Sequence, residues 1–120
     1  MTISNYAENK LLDTLGAISF SVATPYVKLH LGDPGEAATA NPAAETTRKL
    51  IAFSAAASGS MVSSATITWT NVSTTEVYTH WSLWDNVSAG NAIWSGAFAT
   101  SASVTAGDTF QITSLTLTLD

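Results

Sequence analysis

The segment Val77-Tyr78-Thr79-His80-Trp81-Ser82-Leu83-Trp84 decides the fold. Its side chains alternate between two faces, as they do along a β-strand. One face carries Val77, Thr79, Trp81 and Leu83, and the other carries Tyr78, His80, Ser82 and Trp84. Large apolar groups on both faces are typical of a strand that is covered on both sides. We therefore expect this strand to lie at the centre of a sheet.

A second strand runs into a stiff turn, in the segment Leu29-His30-Leu31-Gly32-Asp33-Pro34-Gly35. The alternation over Tyr26–Leu31 directs Val27, Leu29 and Leu31 inward and His30 outward. Asp favours the first position of a turn, Pro fixes φ, and Gly35 supplies the positive φ that a type II turn needs. The turn opens a long loop, residues 32–47, and loops of this length in a small domain are often functional.

The N-terminal segment, residues 4–16, is predicted to be a short helix. Ser4 or Asn5 can cap its start with a side-chain oxygen, and Gly16 stands where a left-handed residue would end it. An apolar stripe at helical spacing is formed by Ala7, Leu11, Leu12 and Leu15. The other predicted strands are residues 48–53, 65–70, 92–98 and 101–105, with a wide turn at residues 55–60.

The C-terminal segment changes phase part-way along. Phe110 and Ile112 share one face, whereas Leu115, Leu117 and Leu119 share the opposite one. A one-residue insertion in a strand moves every later side chain to the other face. We therefore predict a β-bulge or kink at Thr113-Ser114.

These elements predict a mostly β protein: an antiparallel β-sandwich or jelly-roll-like fold with one short N-terminal helix over an edge or open end. A length of 120 residues is typical of one domain, so we expect residues 1–120 to form a single domain.

The composition excludes several classes of function. Four Lys and Arg residues, against nine Asp and Glu, are too few to neutralise a nucleic-acid backbone. Without cysteine the chain can form no disulfide, thiol nucleophile or Cys-based metal site. The sequence has no apolar run long enough to cross a membrane and no signal-peptide pattern at its start, so we expect synthesis in a cytoplasm.

No motif for catalysis is present. The sequence has no nucleophile elbow and no phosphate-binding glycine loop, and its acidic residues are scattered. The two histidines, His30 and His80, are expected at a partly exposed surface or subunit interface rather than at a metal. We predict no catalytic residues, no cofactor, no metal and no enzymatic activity.

The four tryptophans allow two interpretations. Trp69 and Trp81 are expected in the core, and Trp84 or Trp94 at a protein interface, where Trp is enriched. Alternatively, Trp84 and Trp94 form an aromatic platform for a sugar.

Several segments together resemble a family of small tailed-bacteriophage virion proteins. The similar segments are Ser4–Asp13, Leu29–Glu36, Phe53–Ala56, Thr79–Asp85, Gly96–Phe98 and Ala106–Phe110. The chain departs from the family pattern in its loop, where Ala38 replaces a frequent glycine and Asn41-Pro42 replaces Asn-Glu. Members are described variously as head-decoration, minor tail or tail-fibre proteins.

The resemblance implies a non-enzymatic structural component of a virion, made in the host bacterial cytoplasm. The leading expectation is a capsid decoration or minor capsid protein that packs on the major capsid protein and on copies of itself. The alternatives are a tail accessory or tail-fibre protein and, from another class, a carbohydrate-binding module. The expected contact residues are Gly32, Asp33, Pro34, Gly35, Glu36, Asn41, Pro42, Trp84 and Trp94.

Overall fold

The computed structural model describes residues 2–119 and is built around a five-stranded antiparallel sheet. The ends of the predicted domain, Met1 and Asp120, lie outside the described residues. The elements are β1 (Thr2–Ile3), α1 (Asn5–Leu15), β2 (Tyr26–His30), β3 (Lys49–Leu50), β4 (Ser60–Val62), β5 (Ile67–Trp69), β6 (Glu76–Trp84), β7 (Ala92–Val104), β8 (Phe110–Ile112) and β9 (Thr116–Thr118). The strand order in the large sheet is β1-β7-β6-β2-β3.

Strand β6 is the centre of this sheet, as predicted, with β2 on one side and β7 on the other. The predicted faces are wrong at its start, because Val77 is 44% exposed and Tyr78 is fully buried. The cause is a register shift against β7: Tyr78 pairs with Ala102, whereas His80 pairs with Ala97. This irregularity reverses the alternation, so Tyr78 joins Trp81 and Leu83 in the core.

Two short ladders, β4–β9 and β5–β8, supply the other side of the core. Their buried residues Ile67, Trp69, Ile112, Leu115 and Leu117 belong to one cluster with Val27, Leu29, Trp81 and Leu83 from the large sheet. The predicted kink is confirmed, since β8 ends at Ile112 and β9 begins at Thr116 on a different partner strand. Leu119, which is in phase with the buried Leu115 and Leu117, is 54% exposed.

Several strand boundaries differ from the prediction. The two predicted strands at residues 92–98 and 101–105 form one thirteen-residue strand, β7. The predicted strand at residues 48–53 is hydrogen-bonded as a strand only over Lys49–Leu50. The sequence pattern also missed β1 and β4, which have two and three residues, too few to show a period.

Helix α1 has the predicted position and the predicted Ser4 cap, whose side chain accepts a hydrogen bond from the Ala7 amide. Gly16 is not left-handed, with φ −85°; the next residue, Ala17, takes φ 69° instead. The apolar stripe is only partly buried, because Ala7 is 2% exposed but Leu12 is 64% and Leu15 85% exposed. Among residues 2–119 no helix is long and apolar enough to span a membrane.

The centre of the sheet depends on a close approach between Gly96 and Trp81, which are paired across β6 and β7. A Cβ added to Gly96 would lie 2.7 Å from Trp81 Cζ2 and 3.0 Å from Cε2. Real Cβ atoms do not come this close to a neighbouring atom, so any side chain at this position must displace the indole. Trp81 is 4% exposed and part of the core cluster.

We predict that Gly96→Ala lowers the free energy of unfolding by about 1–3 kcal/mol, because overpacking forces the buried Trp81 to move. Urea unfolding followed by tryptophan fluorescence measures the change. Gly16→Ala is the control, since Gly16 has a negative φ and its added Cβ would lie 3.3 Å from the Asp13 carbonyl oxygen at the exposed end of a helix. Equal effects of the two substitutions would contradict the proposed clash.

Candidate functional site

The predicted contact loop, residues 32–47, folds back onto the outer face of the large sheet. The Leu31 amide donates to the Asn41 carbonyl at 2.9 Å, and the Ala43 amide donates to the Leu29 carbonyl at 3.1 Å. Two residues of the loop, Ala38 and Ala43, are almost completely buried. The loop is therefore fixed along β2, where Pro42 pairs with His30, and over the His30 side chain.

The Gly-Asp-Pro-Gly turn that opens this loop has the predicted form. Gly35 has φ 73°, and its amide donates to Asp33 Oδ1 at 2.9 Å. The Asn41 side-chain amide donates to the Asp33 carbonyl at 2.9 Å and closes the turn from the far end of the loop. Asp33 thus has a structural role in the turn, while Gly35 and Glu36 stand exposed at its tip.

His30 lies under the loop and is fully buried, which corrects its expected position at a partly exposed surface. Its Nδ1 lies 2.9 Å from the Ala40 carbonyl oxygen, and its Nε2 lies 2.7 Å from Ser82 Oγ on the neighbouring strand. Trp84 Nε1–H donates to the same Ser82 Oγ at 2.8 Å. Leu31 was expected to point inward beside it but is 41% exposed.

The chemistry of the four groups gives this hydrogen-bond chain one direction. A carbonyl oxygen can only accept, so His30 Nδ1 carries the proton and donates to Ala40. Ser82 Oγ accepts from Trp84, so its own hydrogen is free to donate to His30 Nε2. The imidazole is then neutral. This state agrees with the net direction of its pKa, which lies below the usual value. Burial lowers the pKa most, the hydrogen bond to Ala40 raises it in part, and the nearby Lys28 lowers it further.

Trp84 and Trp94 do not form a common platform. Trp84 is 8% exposed, and the Arg48 guanidinium lies 4.0 Å from its ring centroid. Arg48 is itself held by the carbonyls of Asn86 and Ala89, at 2.9 and 2.7 Å. Trp94 lies instead on the core side, in an apolar pocket of about 560 Å³ between α1 and the two layers of the fold. Trp69 and Trp81 are in the core as predicted.

The loop and Trp84 do meet, in a shallow groove of about 450 Å³. Three segments contribute its walls: the start of α1, the loop at Glu36–Thr39, and the turn after β6. Its lining residues are Ser4, Asn5, Tyr6, Glu36, Ala37, Thr39, Trp84, Gly90, Asn91 and Ala92. Of the predicted contact residues, Glu36 and Trp84 line this groove together.

Sequence reasoning missed the residues that other elements bring to this groove and to the buried chain. Ser82 and His30 both occur on the outward-facing positions of their strands. The pairing of β2 with β6 sets His30 opposite His80 and Ser82 opposite Lys28, so His30 and Ser82 are diagonal neighbours. The sequence alone does not show which strands pair, so it could not show that these two residues come together. Asn5 and Asn91 occur in exposed segments that carry no pattern, so only the tertiary structure shows that they meet.

His80 and Tyr78 are two further ionisable residues on β6. His80 Nδ1 lies 2.8 Å from Thr79 Oγ1, a neighbouring hydroxyl. Burial, with smaller contributions from Glu76 and Glu45, raises the pKa of the Tyr78 phenol to about 12, so this group stays neutral. Within residues 2–119 no three His, Asp or Glu side chains come close enough to hold a metal ion.

A comparison with protein families identifies the relatives of this fold. A family model described as podophage GP4 fiber I protein gp80 matches residues 2–120. The chain belongs to this family. Among curated proteins no relative matches. The family is one of bacteriophage virion structural proteins, so the expectation of a phage virion component is confirmed. Its description names a fibre, which supports the tail-fibre alternative better than the leading expectation of capsid decoration.

We predict that Ser82→Ala destabilises the protein by about 2–4 kcal/mol, because Trp84 Nε1–H and His30 Nε2 both lose a buried partner. Ser95→Ala is the matched control. Ser95 is a buried serine paired with Ser82 across β6 and β7, and its hydroxyl makes none of the side-chain hydrogen bonds described for residues 2–119. Chemical denaturation measures the free energy of unfolding of both variants. Similar decreases would show that the hydrogen bonds of Ser82 contribute no more to stability than any buried serine does.

We also predict that stability falls with acidification because of His30. The unfolded chain takes up a proton at this imidazole near pH 6.5, whereas the folded chain does so only at lower pH. The stabilisation is therefore complete above about pH 6.5 and is lost below it, by at most about 1.4 kcal/mol per pH unit. His30→Asn should remove this dependence between about pH 7.5 and 5, a range set by the histidine pKa. An unchanged pH profile in the variant would assign the effect to other groups.

Proposed function

We propose that the protein is a fibre-associated structural component of the phage tail, rather than a decoration of the capsid. The observation that carries this proposal is the family match over residues 2–120, whose description names a fibre protein. The mostly β fold and the low share of charged residues, 11%, suit a protein whose surface packs against other chains.

The end of α1 is the surface that best fits docking on a neighbouring virion protein. Leu12, Leu15 and Ile18 are 64%, 85% and 57% exposed within one turn and its exit. Neighbouring large apolar residues on a soluble domain mark interaction sites, because leaving them in water costs free energy. The loop at residues 32–47 is a second proposed contact element, with Glu36 exposed near its tip.

The location is tested on purified particles. Immunogold labelling should place the protein at the tail, and quantitative mass spectrometry should find about 3 to 12 copies per particle, as small ring symmetries require. Labelling spread over the head with hundreds of copies would support capsid decoration instead. Protein absent from purified particles would refute both locations.

The docking surface is tested with Leu15→Asp, which places a charge in the exposed apolar patch and should reduce incorporation into particles. Thr14→Asp, at the preceding exposed position of the same helix, is the matched control. Circular dichroism of both variants checks that the fold is kept. Normal incorporation of Leu15→Asp would exclude the end of α1 as the docking surface.

A further inference from the structure

The groove between α1, the loop and the turn after β6 contains exposed hydrogen-bonding groups that are available to a ligand. The Asn5 amide, the Tyr6 hydroxyl, the Glu36 carboxylate and the Thr39 hydroxyl make none of the side-chain hydrogen bonds described for residues 2–119. They come from two segments that are about thirty residues apart in the chain. Their convergence on one concave surface provides both donors and acceptors for a polar ligand.

The walls of the groove are held rigidly. Asp85 accepts hydrogen bonds from the Asn91 amide and side chain, at 2.7 and 2.9 Å, and so fixes the turn. The loop wall is held by the Ala40–His30 hydrogen bond and by the burial of Ala38. Ser4 caps the helix and also donates to the Ala92 carbonyl, which joins the helix wall to the end of the turn. A ligand would therefore meet a preformed site and would not have to order it.

The chemistry of the lining selects the class of ligand. Glu36 is the charged residue in the lining, and it would repel an anionic group bound beside it. The cations near Trp84, Arg48 and Lys28, do not line the groove. The lining also includes apolar surface from Tyr6, Trp84 and Ala37, beside the amides and hydroxyls. Sugars have the same combination of hydroxyl groups and flat apolar C–H faces, and aromatic side chains pack on such faces. A volume of about 450 Å³ is within the range of small-molecule sites.

We propose that this groove binds a neutral saccharide unit of a glycan. The proposal deepens the proposed function, on which it rests, because it gives a fibre-associated protein a ligand outside the virion. Trp84 serves as the rigid floor of the site: its Nε1–H is held by Ser82 and one ring face by Arg48. Asn5 and Glu36 are the groups that bind the sugar hydroxyls.

The test uses the isolated protein, labelled with ¹⁵N and titrated with glucose, galactose, N-acetylglucosamine and rhamnose in turn. Each sugar is added to about 20 mM, because a few neutral hydrogen bonds give dissociation constants near 1 mM. At least one sugar should shift the amide signals of residues 36–39 and 90–92 and the Trp84 indole signal. No shift with any of the four sugars, or shifts confined to other residues, would overturn the proposal.

The double variant Asn5→Ala/Glu36→Ala should weaken the binding by about tenfold or more, since it removes two hydrogen-bonding groups. Asn9→Ala is the matched control, because Asn9 is exposed one turn further along the same helix and does not line the groove. Undiminished binding by the double variant would overturn the proposal.

The sugar titration and the particle experiments can fail independently of each other. A tail location without sugar binding would refute the site but keep the proposed function. Sugar binding by a protein that labels the capsid would keep the site but refute the proposed function.

Discussion

The hydrogen-bond chain from Trp84 through Ser82 and His30 to the Ala40 carbonyl is the constraint on which the outer half of the structure depends. It joins the two central strands, β2 and β6, to the loop that covers them. A buried imidazole or indole N–H without a partner costs free energy on the order of 1–3 kcal/mol. The loop supplies the last acceptor in the chain, so moving the loop away would leave His30 unsatisfied. The hydrogen bond from His30 to the Ala40 carbonyl therefore gives the buried imidazole its partner and also positions the loop.

The two faces of the central sheet are held by different kinds of interaction. On the inner face, Leu29, Trp81 and Leu83 pack in an apolar core that tolerates exchange between residues of similar volume. On the outer face, His30 and Ser82 require particular donors and acceptors at particular distances. A polar chain of this kind specifies one arrangement of the loop, because a shifted loop would not offer a carbonyl at Nδ1. Because the loop also forms one wall of the groove, this requirement keeps that wall rigid.

The sequence predicted the elements well where a period extends over many residues, as in α1, β2 and β6. The prediction failed where a local irregularity changes which face the side chains lie on. Nothing in Val77-Tyr78-Thr79 indicates the register shift that buries Tyr78. The direction of His30, opposite to Val27 and Leu29, was predicted correctly. Its exposure was not, because the cover comes from a loop whose path depends on tertiary contacts. The sequence pattern also did not indicate that Arg48 lies over the Trp84 ring, which is 8% exposed within the chain.

The loop also explains a departure from the family pattern. Ala38, at a position where the resemblance suggests glycine, has φ 56° and is 1% exposed. A left-handed backbone costs an alanine roughly 1 kcal/mol relative to glycine, whereas its buried methyl group recovers about 0.8 kcal/mol. The two effects nearly cancel, so alanine can replace glycine there without changing the path of the loop. An exchange between alanine and glycine at residue 38 therefore leaves the acceptor at Ala40, and with it the groove wall at Glu36, in place.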